Sequence, residues 1–235
     1  MTTGITASGT FYSYNKIEGS IPIVFIHGVG LTNEIWEPQL DFFKKYSTIS
    51  YDILGHGKSN LEKKDISFDD FSDQLKNLID ELKINKIHLV GFSIGSLIAR
   101  NFATKFNNRL KSLILLGSIY KRTEQQQKIV SDRYDQAKQE LKLSKQALKR
   151  WFTDQYLEKN PNTYEKISSI LSANNMQNFL KVYELFVYHK NDEKFDEIKV
   201  NTLVMTGEHD LGSTVHMSQE LNEIIKNSEL KIIRN

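Results

Sequence analysis

The sequence predicts an α/β fold, a mostly parallel sheet flanked by helices. Three observations predict it. Short β-rich runs alternate with longer helical patterns, the signature of βα units. Long helical segments between successive runs are what parallel strands need as crossovers, and they imply a sheet covered on both faces. A charged, helix-rich stretch without β-branched runs, from Ser118 to Asn191, interrupts the alternation once, and the β pattern then resumes.

Taken in order, the strand candidates are residues 21–26, 46–52, 87–92, 113–117, 202–206 and 230–233. Between the second and third lies the stripe Phe68, Phe71, Leu75, Leu78, Ile79, Leu82, whose spacing places one apolar face on a helix. Ser67 with Asp70 three residues later resembles a capping box at its start. The interrupting stretch reads as an inserted helical subdomain, with breaks at Leu143-Ser144, Asn160-Pro161-Asn162 and Ser172-Ala173-Asn174-Asn175. The expected division is a discontinuous core of residues 1–118 and 192–235, with a helical cap of residues 119–191 above one end of it. Such an insertion suits a lid.

Composition excludes several classes. With 235 residues, 39% hydrophobic and 26% charged, the chain has the balance of a globular domain rather than a disordered one. A net charge of +2 gives no reason to expect nucleic acid or an anionic membrane as partner. Cysteine is absent, which removes thiol catalysis and thiolate metal sites and is compatible with a reducing compartment. The N-terminus carries no basic segment followed by an apolar run, and no stretch has the length of a membrane span, so the expected location is cytoplasmic. The acids and histidines show no metal-ligand spacing, and no cofactor is expected.

The chemistry is carried by Gly91-Phe92-Ser93-Ile94-Gly95, directly after a strand candidate and directly before a helical run. A serine on a sharp strand-to-helix turn lifts its Oγ above the sheet, and the flanking glycines keep side chains from blocking that turn. The pattern is a nucleophile elbow and implies acyl transfer to water. Such a serine needs a base, an acid to orient the base, and donors for the oxyanion. His27-Gly28-Val29-Gly30 follows the first parallel strand and can supply a backbone N–H, that of Val29, to pair with the N–H of Ile94, the residue after the nucleophile. Asp210 closes Thr206-Gly207-Glu208-His209-Asp210 at the end of a later strand, where α/β sheets place working side chains. Glu208 is the alternative acid, and a turn acid capping the next helix is the plain structural reading of Asp210. His27 reads as a brace of its loop, and His56, in Gly55-His56-Gly57, as part of a tight turn.

In order and spacing, His27-Gly28-Val29-Gly30, Asp52 through Gly55-His56-Gly57-Lys58-Ser59, Gly91 to Gly95 and Gly207-Glu208-His209-Asp210 resemble the α/β-hydrolase superfamily over nearly the whole chain. Arg150-Trp151-Phe152-Thr153, followed by residues 207–214, looks like its 3-oxoadipate enol-lactonase branch. The resemblance implies a helical cap over the serine, a small ester or enol-lactone as substrate, and Trp151 as a pocket wall. A serine at position 93 speaks against dehalogenase and epoxide hydrolase relatives, which carry aspartate there. Esterases, lactonases and carbon–carbon bond hydrolases share the serine, and an acyltransferase would use the same one.

The resemblance also implies a histidine a few residues after the last strand and a final helix beyond it. Neither occurs before Asn235, and none of His27, His56, His88, His189, His209 and His216 occupies the expected place. The expectation is therefore an incomplete copy of a serine hydrolase of small esters or lactones, in which Ser93 and Asp210 are present, the triad histidine is missing, and activity is weak or nil. The alternative is a non-catalytic small-molecule-binding protein with a hydrolase shell. The sequence does not indicate an oligomeric state.

Overall fold

A computed structural model of the chain describes residues 1–140, 148 and 151–234. Eight strands form one sheet: β1 (Thr2–Ile5), β2 (Phe11–Asn15), β3 (Ile23–Ile26), β4 (Thr48–Tyr51), β5 (Ile87–Phe92), β6 (Leu110–Leu116), β7 (Thr202–Gly207) and β8 (Ser228–Ile233). Their order is β1-β2-β4-β3-β5-β6-β7-β8. From β4 through β8 every neighbouring pair is parallel, while β1 and β2 join antiparallel at one edge.

Each parallel strand matches a run read from the sequence to within a few residues. The edge hairpin is an addition to that reading. Its segments, Thr2-Thr3-Gly4-Ile5 and Phe11-Tyr12-Ser13-Tyr14-Asn15, are short and mostly polar, so nothing local marks them as sheet. Pairing of β2 with β4 supplies what local pattern lacks, with Ser13 opposite Ser50 and Tyr12 opposite Tyr51.

Helices α1 (Glu37–Phe42), α2 (Phe68–Glu81) and α3 (Ile94–Lys105) lie among the parallel strands. In α2 the stripe Phe71, Leu75, Leu78, Ile79 is fully buried, and the Asp70 carboxylate at its start accepts hydrogen bonds of 2.8 Å from both the amide and the hydroxyl of Ser67. Burial alternates along β5, β6 and β7. One face, with Ile87, Leu89, Leu113, Leu115 and Val204, packs fully into the main core with α2 and α3. On the other face Val90, Ile114, Leu116, Leu203 and Met205 are only partly buried. The first part of that face is covered by α1 and the short 3-10 turn before it, through Trp36 and Leu40 packed on Phe25 and, more loosely, Val90 and Phe92.

Between β6 and β7 the described elements are helical: α4 (Glu124–Glu140), α5 (Asp154–Lys159), α6 (Pro161–Ser172) and α7 (Met176–Val187). The chain breaks at Asn160-Pro161, where proline opens α6, and at Ala173-Asn174-Asn175, before α7. The break read at Leu143-Ser144 lies outside the described residues. The last helix, α8 (Val215–Ile224), packs on β7 and β8. Among the described residues no helix is long and apolar enough to cross a membrane.

Candidate functional site

The turn from β5 into α3 is tightly constrained. Ser93 has φ 56° and ψ −121°, a conformation that an L-residue with a side chain rarely adopts and that costs on the order of 1–3 kcal/mol. The glycines around it have no room for anything larger. A Cβ at Gly91 would lie 2.2 Å from the Gly95 carbonyl oxygen, and one at Gly95 would lie 2.5 Å from that of Ile26 and 2.7 Å from that of His27. The second contact brings the first turn of α3 hard against the end of β3. Replacing Gly95 with alanine should therefore cost about 3 kcal/mol, because both obstructing atoms are backbone; a urea titration midpoint unchanged in Gly95→Ala would show that this close approach is absent.

The loop after β3 is held by two buried histidines. His27 donates from Nδ1 to the Gly28 carbonyl at 2.8 Å and accepts at Nε2 from the Ile53 amide at 3.1 Å. His56 accepts at Nε2 from the Gly30 amide at 2.8 Å and donates from Nδ1 to the Leu54 carbonyl. Both rings are thus neutral braces with the same tautomer. Burial lowers the His27 pKa to about 4, and burial together with the neighbouring His27 lowers that of His56 to about 3. Asp52 works beside them, accepting from the amides of Asn33 and Lys58 at 2.8 and 2.9 Å. Burial raises its pKa, partly offset by those amides.

With Gly30 N–H committed to His56, the amide of the preceding residue, Val29, is left without an acceptor among the described residues. The Ile94 amide, at the first position of α3, is likewise without one. Both loops meet at the Phe92 ring, which lies 3.2 Å from the Cβ position of Gly28 on one edge and 3.3 Å from that of Gly117 on the other.

The same Gly117 position is 3.2 Å from Ser213 Oγ, which connects the β5 turn to the loop after β7. In that loop Asp210 Oδ1 accepts from the amides of Gly212 and Ser213 at 2.8 and 2.9 Å, and Oδ2 accepts from Ser213 Oγ at 2.7 Å. Thr206 Oγ1 donates to the Ser213 carbonyl at 2.7 Å and ties the loop to its strand. Helix α8 is capped by Thr214, whose Oγ1 accepts from Met217 N, so Asp210 braces its own loop rather than capping the helix. Glu208 is anchored through its amide to the Ile233 carbonyl at the end of β8.

No histidine among the described residues hydrogen-bonds to Ser93 or Asp210. His88 bonds Ser112 Oγ at 2.7 Å, His189 bonds Glu193 at 3.1 Å, and His209 and His216 are exposed, 3.8 and 3.9 Å from glutamates of their own segments. Trp151, expected from the resemblance to wall the pocket, is 45% exposed. Its neighbour Phe152 instead joins the apolar cluster of Leu148, Ile167, Ile170 and Leu171 from the insert with Leu31 and Phe92 from the core. Sequence reasoning passed over Phe92, Ser213, Phe152 and Asn174. The aromatic pair Trp151-Phe152 was a signal for Phe152, but which ring faces inward depends on the helix phase.

A family model described as alpha/beta hydrolase fold matches residues 21–235. Two relatives come from Acinetobacter baylyi. (E)-2-((N-methylformamido)methylene)succinate hydrolase is 31% identical over 240 residues, covering all of this chain and 89% of the relative. 3-Oxoadipate enol-lactonase 2 is 26% identical over 212 residues, covering 90% of this chain and 79% of the relative. Among solved structures, the enol-lactonase from Burkholderia xenovorans LB400 superposes with a TM-score of 0.87 at 22% identity, covering 99% of this chain and 91% of that one. The parallel sheet, the strained serine turn and these matches agree: the chain belongs to the α/β-hydrolase family.

Proposed function

We propose that the protein is a serine hydrolase of small carboxylic esters or enol-lactones. The observation that carries the reading is Ser93, held at φ 56° on a turn whose neighbouring amides, Val29 and Ile94, have no acceptor among the described residues. Strain of that kind is retained where it exposes a reacting group. Ser93 Oγ attacks the substrate carbonyl, forming an acyl-enzyme, and the Val29 and Ile94 N–H groups hold the oxyanion. Asp210 orients the base. Its carboxylate, already fixed by three bonds from its own loop, is rigid enough for that task. The helical insert acts as a cap, and its Phe152 joins Leu31 and Phe92 of the core in one apolar cluster, while Trp151 is half exposed. The printed names of the relatives, a substituted methylenesuccinate hydrolase and an enol-lactonase, support a small acyl substrate.

Among the described residues no histidine stands beside Ser93 as a base. A protein made of these 235 residues alone should then show only the weak catalysis that an oxyanion hole and binding leave in triad-deficient enzymes. That same observation favours a second reading, a small-molecule binder with a hydrolase shell. The two readings separate by fluorophosphonate labelling followed by peptide mass spectrometry, and by p-nitrophenyl acetate hydrolysis. Both are run on this chain, on a chain extended past β8 by a histidine-bearing loop and helix of the family type, and on Ser93→Ala in that extended chain. A hydrolase gains on the order of 10³-fold or more in the extended form, labels there at Ser93, and loses both the gain and the label when Ser93→Ala is made in that form. Inertness of all three proteins leaves the binder.

A further inference from the structure

We infer that Asn174, in the turn between α6 and α7, is a positioning residue for the oxyanion-binding peptide, so that the insert sets the geometry of that peptide directly. The inference rests on the hydrolase reading above. The Asn174 amide nitrogen donates to the Gly30 carbonyl at 2.8 Å, and also to the carbonyls of Ile170 and Leu171 at 3.1 Å each. Three carbonyl oxygens around one –NH₂ fix the orientation of the side-chain amide, because the flipped form would set oxygen against oxygen.

Gly30 is consequently held at both ends. Its N–H is bound by the His56 ring of the core and its carbonyl by Asn174 of the insert. A residue fixed on both sides, with φ 77°, has little freedom left. The Val29 N–H lies one peptide further back, in the Gly28–Val29 unit whose carbonyl meets His27 Nδ1 at 2.8 Å and Leu31 N at 3.2 Å, so the Gly30 clamp fixes the far side of Val29 and those bonds the near side. The turn that carries His56 also packs on the helix that follows Asn174. Phe179 of α7 lies edge-on to the His56 ring with centroids 6.4 Å apart, and Asn178 Cβ lies 3.1 Å from the Cβ position of Gly55, in the same turn as His56. The N-terminal turn of α7 is therefore part of the scaffold of the oxyanion loop, and any opening of the cap must pivot elsewhere or release Gly30.

Asn174→Asp tests this. It keeps the side-chain shape, removes the donor and sets a carboxylate against three carbonyls; Asn174→Ala removes the side chain altogether. The control is Thr123→Ala, which deletes a capping bond at the start of α4, where Thr123 Oγ1 accepts from Gln126 N at 3.2 Å, in the same insert but away from Gly30. Two measurements are made on the 235-residue chain: kcat and KM for p-nitrophenyl acetate with the buffer rate as the floor, and amide hydrogen exchange at Gly30 by NMR. The expected result is a loss of about tenfold or more in kcat with KM little changed in either Asn174 variant, and exchange at Gly30 at least tenfold faster. Thr123→Ala should lower the melting temperature and leave both quantities as they were. Equal effects of Asn174→Ala and Thr123→Ala, or unchanged Gly30 exchange in both Asn174 variants, overturn the inference. If Ser93→Ala made in the extended chain hydrolyses as fast as the extended parent, the hydrolase reading fails, and Gly30 exchange alone then decides whether the clamp exists.

Discussion

Arg100→Met should destabilise the protein by about 3–5 kcal/mol, and adding Glu193→Leu should recover much of that loss. Arg100, on α3, is completely buried. Its Nη2 lies 2.6 Å from Glu193 Oε1, and its Nη1 donates to the Ile119 carbonyl at 2.7 Å, while the guanidinium stacks over Phe195 at 4.9 Å. Glu193 is equally enclosed and shares Oε1 with His189 at 3.1 Å. Burial alone would push the Glu193 carboxyl up; the His189 hydrogen bond and the Arg100 charge outweigh it and hold its pKa near about 2. Deleting Arg100 leaves a buried carboxylate with one partner, and that uncompensated charge is the source of the cost rather than the lost attraction. The double variant replaces both charges with apolar volume and removes the penalty. Urea unfolding of the parent, both single variants and the double variant gives the cycle; a double variant no more stable than Arg100→Met would show that the pair contributes attraction of its own. The cluster fastens the returning end of the insert to α3, the helix whose first turn follows Ser93.

Stability should fall steeply as the pH drops below 6.5. The sign follows from the two buried histidines. In the unfolded chain each takes up a proton near its ordinary pKa of 6.5, whereas in the fold protonation waits until about 4 for His27 and about 3 for His56. Between those limits the unfolded state binds more protons, so the stability present above pH 6.5 is progressively lost on acidification. Around pH 5 two such groups give a slope of about 2.7 kcal/mol per pH unit. Glu193 extends the loss, since its contribution is complete above 4.5 and disappears as the pH falls toward about 2. Asp52, raised by burial, acts in the opposite sense and offsets part of it. Urea titrations from pH 7 to 4.5 measure the slope, and His56→Gln should reduce it by about half. A flat profile over that range means that the two rings are not held neutral inside the protein.

The parallel strands were legible because each is a short β-rich run between turn and helix patterns, with one face fully and the other partly buried in β5 and β7, and α2 because its stripe and capping pair are local. Ser93 was legible for a steric reason. Its turn demands glycine at positions 91 and 95, where a Cβ would meet backbone oxygen at 2.2 and 2.5 Å, and that demand is written within five residues. The edge hairpin was not legible, since β1 and β2 carry no pattern of their own and owe their state to pairing with β4. Trp151 and Phe152 were both visible as aromatics, yet only packing of the insert against Leu31 and Phe92 selects Phe152 for the interior.

By itself, then, the sequence determined the parallel strands, the serine turn and the reaction class they imply, because each carries a local pattern of short β-rich runs or glycine spacing even where its contacts are distant. Only the tertiary structure decided how the site is held: His56 and Asn174 on the two sides of Gly30, Ser213 between Asp210 and Gly117, and Glu193 on Arg100. Asn174 and Gly30 are 144 residues apart. A contact of that separation follows from how helices dock after the sheet has formed, and no local spacing encodes it.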